Sequence, residues 1–154
     1  MESRFAAMIS ELIYQQFFLN QGEFLDFFER FNLNEFITLK FISRRDLGTV
    51  SLEETISRLQ IGESEIKTIV FRLQEEGYVT FSNSDSEVGA YITISEKGIK
   101  HLHEQEEEFV SYYGKVIDDF GVQRMGKLLA MIKDLQKIMK AQVENDRNAG
   151  VLQH

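Results

Sequence analysis

Between residues 62 and 98 the spacing of apolar side chains changes twice, and this limits the possible architectures more than any other feature of the chain. In "GESEIKTIVFRLQEEG" the residues Ile66, Ile69, Val70 and Leu73 recur at three and four, the period of a helix with one buried side. The spacing predicts a helix over Glu63 to Glu76, ended by Gly77 in the left-handed backbone that side chains avoid. "YVTF" and "AYITI" follow, β-branched and aromatic, with the polar tip Asn83-Ser84-Asp85-Ser86-Glu87 between them, so they read as the two strands of a hairpin. Ser95 with Lys97-Gly98 then opens another helix. Helix, hairpin, helix in this order builds a winged helix-turn-helix.

The flanking segments are helical. In "SLEETISRLQ", Ser51 and Glu54 form a capping box and Leu52, Ile56 and Leu59 a short buried stripe. Before it, "NLNEFITLKFISRRD" predicts a helix capped by Asn34, with Phe36, Ile37, Leu39, Phe41 and Ile42 apolar, broken at Gly48. The first helix carries Phe5, Met8, Ile9, Leu12, Ile13 and Phe17 at helical spacing. It then becomes apolar on more than one face in "FFLNQGEFLDFFERF". A partner subunit is the economical cover for such a surface, the alternative being a Phe-rich core helix in a monomer. The fifth helix, "IKHLHEQEEEFVSYYGKVIDDF", ends near Gly121. The sixth places Met125, Leu128, Leu129, Ile132, Leu135, Ile138 or Met139, and Gln142 along a seam suited to packing on another helix. The expected fold is mostly α with a small β-hairpin wing: a winged helix-turn-helix with N- and C-terminal dimerisation helices. The chain reads as a single domain, 1–154, with the winged helix-turn-helix in 34–98 and dimerisation helices in 5–30 and 99–145.

Composition narrows the chemistry. The 154 residues contain no cysteine, which excludes disulfides, thiolate metal sites and cysteine nucleophiles. Three histidines, without a nucleophile motif or a phosphate-binding glycine loop, leave no catalytic set, so no enzyme and no cofactor is expected. His101 and His103 are two apart on a helix and point away from each other; His103 with Glu107 could share an ion, but such an acidic run usually marks a solvated face, and no metal site is assigned. No run of about 18 apolar residues exists, and Glu2 and Glu11 stand where a secretory signal would be basic and then uninterrupted. A cytoplasmic protein without membrane association is expected. Absence of proline favours long helices. The net charge of −8 opposes attachment to a polyanion unless the basic residues gather on one face.

The segment "SLEETISRLQIGESEIKTIVFRLQEEGYVTFSNSDSEVGAYITISEKG" resembles the MarR family of bacterial winged-helix transcription regulators. Arg72-Leu73, Gly77-Tyr78-Val79 and Ile94-Ser95-Glu96-Lys97-Gly98 fall in register with that family's pattern; the likeness covers residues 51–98 by motif and the rest by helix order. The resemblance implies a homodimer held by the first, fifth and sixth helices, with the fourth helix of each subunit in a major groove of operator DNA. It also implies a small hydrophobic or phenolic effector that releases the DNA. Tyr14, Phe17, Phe18, Tyr112 and Tyr113 are aromatic candidates to line an effector pocket, or plain core.

On this pattern Ser64, Lys67 and Thr68 are the candidates for base edges or phosphate, Arg72 for phosphate or for holding Asp85, and Arg44 and Arg45 for the DNA backbone or, equally, for a solvated helix end. The wing tip falls on Asp85, Ser86 and Glu87, where Glu87 replaces the family's minor-groove arginine and reverses its charge. Glu63 and Glu65 occupy the front of the fourth helix, favouring the positive end of its dipole; Glu65 could also accept from a cytosine amine. Two functions remain open: a DNA-binding regulator with few charge contacts, or a winged-helix protein-interaction module, antirepressor-like, in which DNA binding is reduced or lost.

Overall fold

The computed structural model describes residues 2–19, 32–83 and 90–150. The chain forms two compact units, residues 1–105 and 106–154. The described residues hold six α-helices, a 3-10 turn at Asp46–Gly48 and three strands: α1 (Glu2–Leu19), α2 (Leu33–Ser43), β1 (Thr49–Ser51), α3 (Leu52–Leu59), α4 (Glu63–Glu75), β2 (Val79–Asn83), β3 (Ala90–Ile94), α5 (Glu96–Phe120) and α6 (Val122–Asn148). The polar wing tip, Asp85, Ser86 and Glu87 included, lies outside the described residues, as do the side chains of Phe17, Phe18 and Tyr112.

The predicted hairpin is part of a larger sheet. β1 joins β2 and β3 in an antiparallel sheet ordered β1-β3-β2. Val50 pairs with Ile92 and both are buried, while the Thr49 and Thr93 hydroxyls meet at 2.9 Å on the other face. Three residues are too few to show a period, so the β-branched pair Thr49-Val50 passed as a linker in the sequence. Gly48 makes the entry possible: its φ is +65°, and a Cβ there would stand 2.7 Å from Ile94 Cγ2.

α2 starts two residues earlier than expected relative to its cap. Asn32, not Asn34, is the N-cap, its side chain accepting from the Glu35 N–H at 3.0 Å. Asn34 lies inside the first turn and reaches another helix. α2 is apolar on several faces because it contacts α3, α4, β1 and β3. At α3 the Ser51 hydroxyl accepts from the Glu54 N–H at 3.1 Å, half of the predicted capping box, and the Glu54 carboxylate pairs with Arg45.

The core is built on α4. Ile66, Ile69, Val70 and Leu73 pack with Leu39, Ile42, Val50, Val79, Ile92 and Leu102, all nearly inaccessible to water. Burying the four α4 side chains contributes on the order of 6–12 kcal/mol, at about 1.5–3 kcal/mol each. α4 then ends in a Schellman motif: Tyr78 N–H donates to Leu73 O at 2.9 Å and Gly77 N–H to Gln74 O at 3.0 Å, with Gly77 at φ +80°.

Both ends of the hairpin are tied at this point. The Ser95 hydroxyl donates to Gly77 O at 2.6 Å and accepts from Gly98 N–H at 3.0 Å, capping α5, while Ser95 N–H donates to Tyr78 O at 2.9 Å. Lys97 Nζ donates to Glu76 O at 2.7 Å, and the Tyr78 ring stacks on His101 with centroids 4.1 Å apart. Gly98 is there for space rather than for backbone freedom, since an added Cβ would lie 2.1 Å from Tyr78 O.

In α1, Phe5, Met8, Ile9, Leu12 and Ile13 are each more than half exposed. In α6 the predicted seam is likewise uncovered, with Leu129, Ile132, Leu135, Ile138 and Met139 all exposed. No helix of the described residues is long and apolar enough to cross a membrane. Gly98→Ala should cost about 1–3 kcal/mol or more, because neither the carbonyl nor the α5 start can retreat without breaking the tie; an unchanged urea midpoint would show that the junction yields.

Candidate nucleic-acid interface

At about 100° per residue, the side of α4 opposite its buried stripe presents Ser64, Thr68, Phe71 and Glu75, all exposed. Two flanks border it. Lys67 and Gln74 lie toward α3 and the hairpin, where with Leu52, Val70, Phe81 and Ala90 they line an apolar hollow of about 360 Å³ around Phe71. Glu65 and Arg72 lie toward α2. The structure therefore brings Ser64, Lys67 and Thr68 onto one accessible surface and sets Arg72 at its α2 edge.

The cations of this region are occupied by carboxylates. Lys67 Nζ donates to Glu63 Oε1 at 2.7 Å, one helical turn away. Arg72 Nη1 donates to Glu35 Oε2 at 3.0 Å, across to α2. Asn34 Nδ2 donates to Glu65 Oε1 at 2.8 Å beside it, so two contacts clamp the start of α2 to α4. Arg72 thus holds Glu35, and Glu65 receives a protein donor at the front of the helix. The exposed Lys67–Glu63 pair is screened by water and weak enough for a phosphate to displace, whereas Glu35 in the Arg72 pair is largely covered.

Arg45 pairs with Glu54 and lies over the Phe41 ring, 4.9 Å from its centroid. Arg44 is exposed at the C-cap of α2 and has no ion pair among the described residues. The turn carrying both enters β1 at Thr49, opposite Thr93, with Gly48 against Ile94. It therefore meets the root of the hairpin, whereas β1 leaves toward the tip at Ser51, opposite Tyr91. Among the described residues no cluster of three or more His, Asp or Glu side chains is arranged to hold a metal ion.

Phe71 was missed in the sequence. It stands seven, four and three residues along from Ser64, Lys67 and Thr68, so the spacing was readable, but an apolar residue inside a helix passes for core. The Glu35–Arg72 and Asn34–Glu65 contacts join residues 37 and 31 apart and had no sequence signal.

The Lys67 ammonium, by hydrogen bond and then by charge, holds the Glu63 carboxyl below the ordinary glutamate range. A carboxylate depressed in this way supports the fold above its unfolded pKa, and the contribution disappears as pH falls through the folded value. Titration followed by carboxyl-carbon NMR should find Glu63 low in the native chain and back at an ordinary value in Lys67→Met; equal midpoints in both would mean that the pair does not persist in solution.

No protein-family model matches the chain, and no curated protein matches it. Solved structures do. A MarR family protein from Bacillus stearothermophilus is 19% identical with a TM-score of 0.64, over 91% of this chain and 99% of that one. A MarR family transcriptional regulator from Silicibacter pomeroyi DSS is 18% identical with a TM-score of 0.64, over 90% and 91%. NadR in complex with 4-hydroxyphenylacetate is 18% identical with a TM-score of 0.64, over 88% and 98%. At such identities the likeness concerns fold, and it extends beyond residues 51–98 to most of the chain. By its fold, this chain is a winged helix-turn-helix protein, similar in structure to proteins of the MarR family.

Proposed function

We propose that the chain is a cytoplasmic transcription regulator of MarR type, a homodimer that binds double-stranded operator DNA with α4 of each subunit in a major groove. The observation that carries this reading is the free side of α4: Ser64, Lys67, Thr68 and Phe71 are exposed while the opposite stripe anchors the helix in the core. An accessible helix held rigidly next to a hairpin is the part such a domain inserts into DNA. The role is one of binding rather than catalysis.

Dimerisation follows from the uncovered apolar stripes of α1 and of α6. Stripes of this length on a lone chain are an association surface. Two copies held through these helices set the separation of the two α4 helices, so a ligand that favours another separation shifts the population away from DNA. NadR was solved with a phenolic acid, 4-hydroxyphenylacetate. A small phenolic or otherwise hydrophobic effector is proposed here also.

The phosphate contacts assigned are Lys67, Arg72, Arg44 and Arg45. With about three to four of them per subunit, log affinity should fall with log salt at a slope of about −5 to −7 for the dimer. Three of these cations are already engaged by Glu63, Glu35 and Glu54, so each must exchange a carboxylate for a phosphate, and DNA affinity is reduced accordingly. The same pairing favours a second reading, a winged-helix module that engages another protein, antirepressor-like, with DNA binding reduced or lost.

Fluorescence anisotropy on duplex DNA at several salt concentrations separates the two. The regulator shows the slope above, and Glu63→Gln, by releasing Lys67, tightens binding at each salt concentration; absence of any salt-dependent binding supports the protein-interaction module. For the dimer, light scattering should report two chains for the native protein and one for Ile132→Glu, while a dimeric Ile132→Glu would move the interface off the α6 seam.

A further inference from the structure

Phe71 is the one member of the α4 surface that charge and hydrogen bonding leave without a role. Its ring is 61% exposed, in the fourth place of the set Ser64, Lys67, Thr68, Phe71. That spacing of three, one and three lines four side chains along one helix face, and it is the spacing by which a homeodomain recognition helix reaches its bases.

We infer that Phe71, together with the methyl group of Thr68, reads thymine methyl groups in the major groove, so that the operator carries thymine under the middle of α4. This deepens the DNA-binding reading and rests on it. The chemistry selects the base. In the major groove every base-pair edge presents hydrogen-bonding groups, and the thymine C5-methyl is the apolar feature among them. A phenyl ring laid against guanine O6 and N7 or a cytosine amine would strip water from polar atoms and return no partner. Against a methyl it buries hydrocarbon on both sides.

The neighbours of Phe71 point the same way. The Thr68 hydroxyl donates to Ser64 O at 3.0 Å, which commits its proton to the helix backbone, so that toward a base edge the side chain offers its methyl group and an acceptor but no donor. Lys67, the cation of the set, is held by Glu63 at 2.7 Å. Phe71 also borders a largely apolar hollow, which it lines together with Leu52, Val70 and Phe81. What the centre of this surface offers a base edge is therefore mainly apolar.

The test uses the intact protein and random-sequence duplexes. Duplexes enriched by binding are sequenced, and the best is remade with deoxyuridine for thymine at single positions, which removes the methyl alone. One thymine in each half-site should prove sensitive, with affinity falling about fourfold per methyl and about fifteenfold when both are removed. Phe71→Ala should bind the thymine and uracil duplexes equally, a coupling that a double-mutant comparison reads directly. Selective binding that tolerates uracil everywhere, or a uracil penalty that persists in Phe71→Ala, overturns the inference and leaves the regulator reading standing. If no duplex is enriched, both fall together, and the exposed ring belongs to a protein contact.

Discussion

The burial of one side of α4 is the constraint on which the rest of the structure depends. Ile66, Ile69, Val70 and Leu73 contact the apolar residues of α2 and the sheet, and a helix that buries four residues at this spacing has its opposite side defined without further choice. The outward set of Ser64, Thr68 and Phe71 is thus a geometric consequence of the core. The Schellman end at Gly77 and the tie through Ser95 and Gly98 convert that orientation into a fixed relation between α4 and the hairpin root. Rigidity of this kind is what allows a surface of few residues to be selective.

Electrostatics sets the character of that surface. A chain of net charge −8 gains little from long-range attraction to DNA, and here its local cations are partly neutralised as well. Lys67, Arg72 and Arg45 each face a carboxylate of the same chain. In the proposed complex the carboxylates would compete with phosphate for the same donors, so the interface would be weaker and less salt-driven than a bare count of basic residues suggests. Selectivity in such a complex would then fall to short-range contacts, where hydroxyl groups and a phenyl ring count for more than charge.

Much of the architecture was legible in the sequence because local rules and tertiary packing agree there. The period of Ile66 to Leu73, the glycine stop at 77, the β-branched strands and the Ser95 cap each have a local cause, and each appears where that cause puts it. β1 was not legible, since three residues carry no period and become a strand only when β3 supplies the hydrogen bonds. The cap of α2 was displaced by two residues because "NLN" offers two asparagines; the helix used Asn32, and Asn34 went to Glu65.

The candidate site divides along the same line. By itself the sequence determined that Ser64, Lys67 and Thr68 share a helix side away from the core, because that follows from helical period alone. Only the tertiary structure decided which charges on that side are available. Arg72 meets Glu35 and Asn34 meets Glu65 only once α2 has packed across α4, and pairing between side chains more than thirty residues apart is a property of packing that no local pattern encodes.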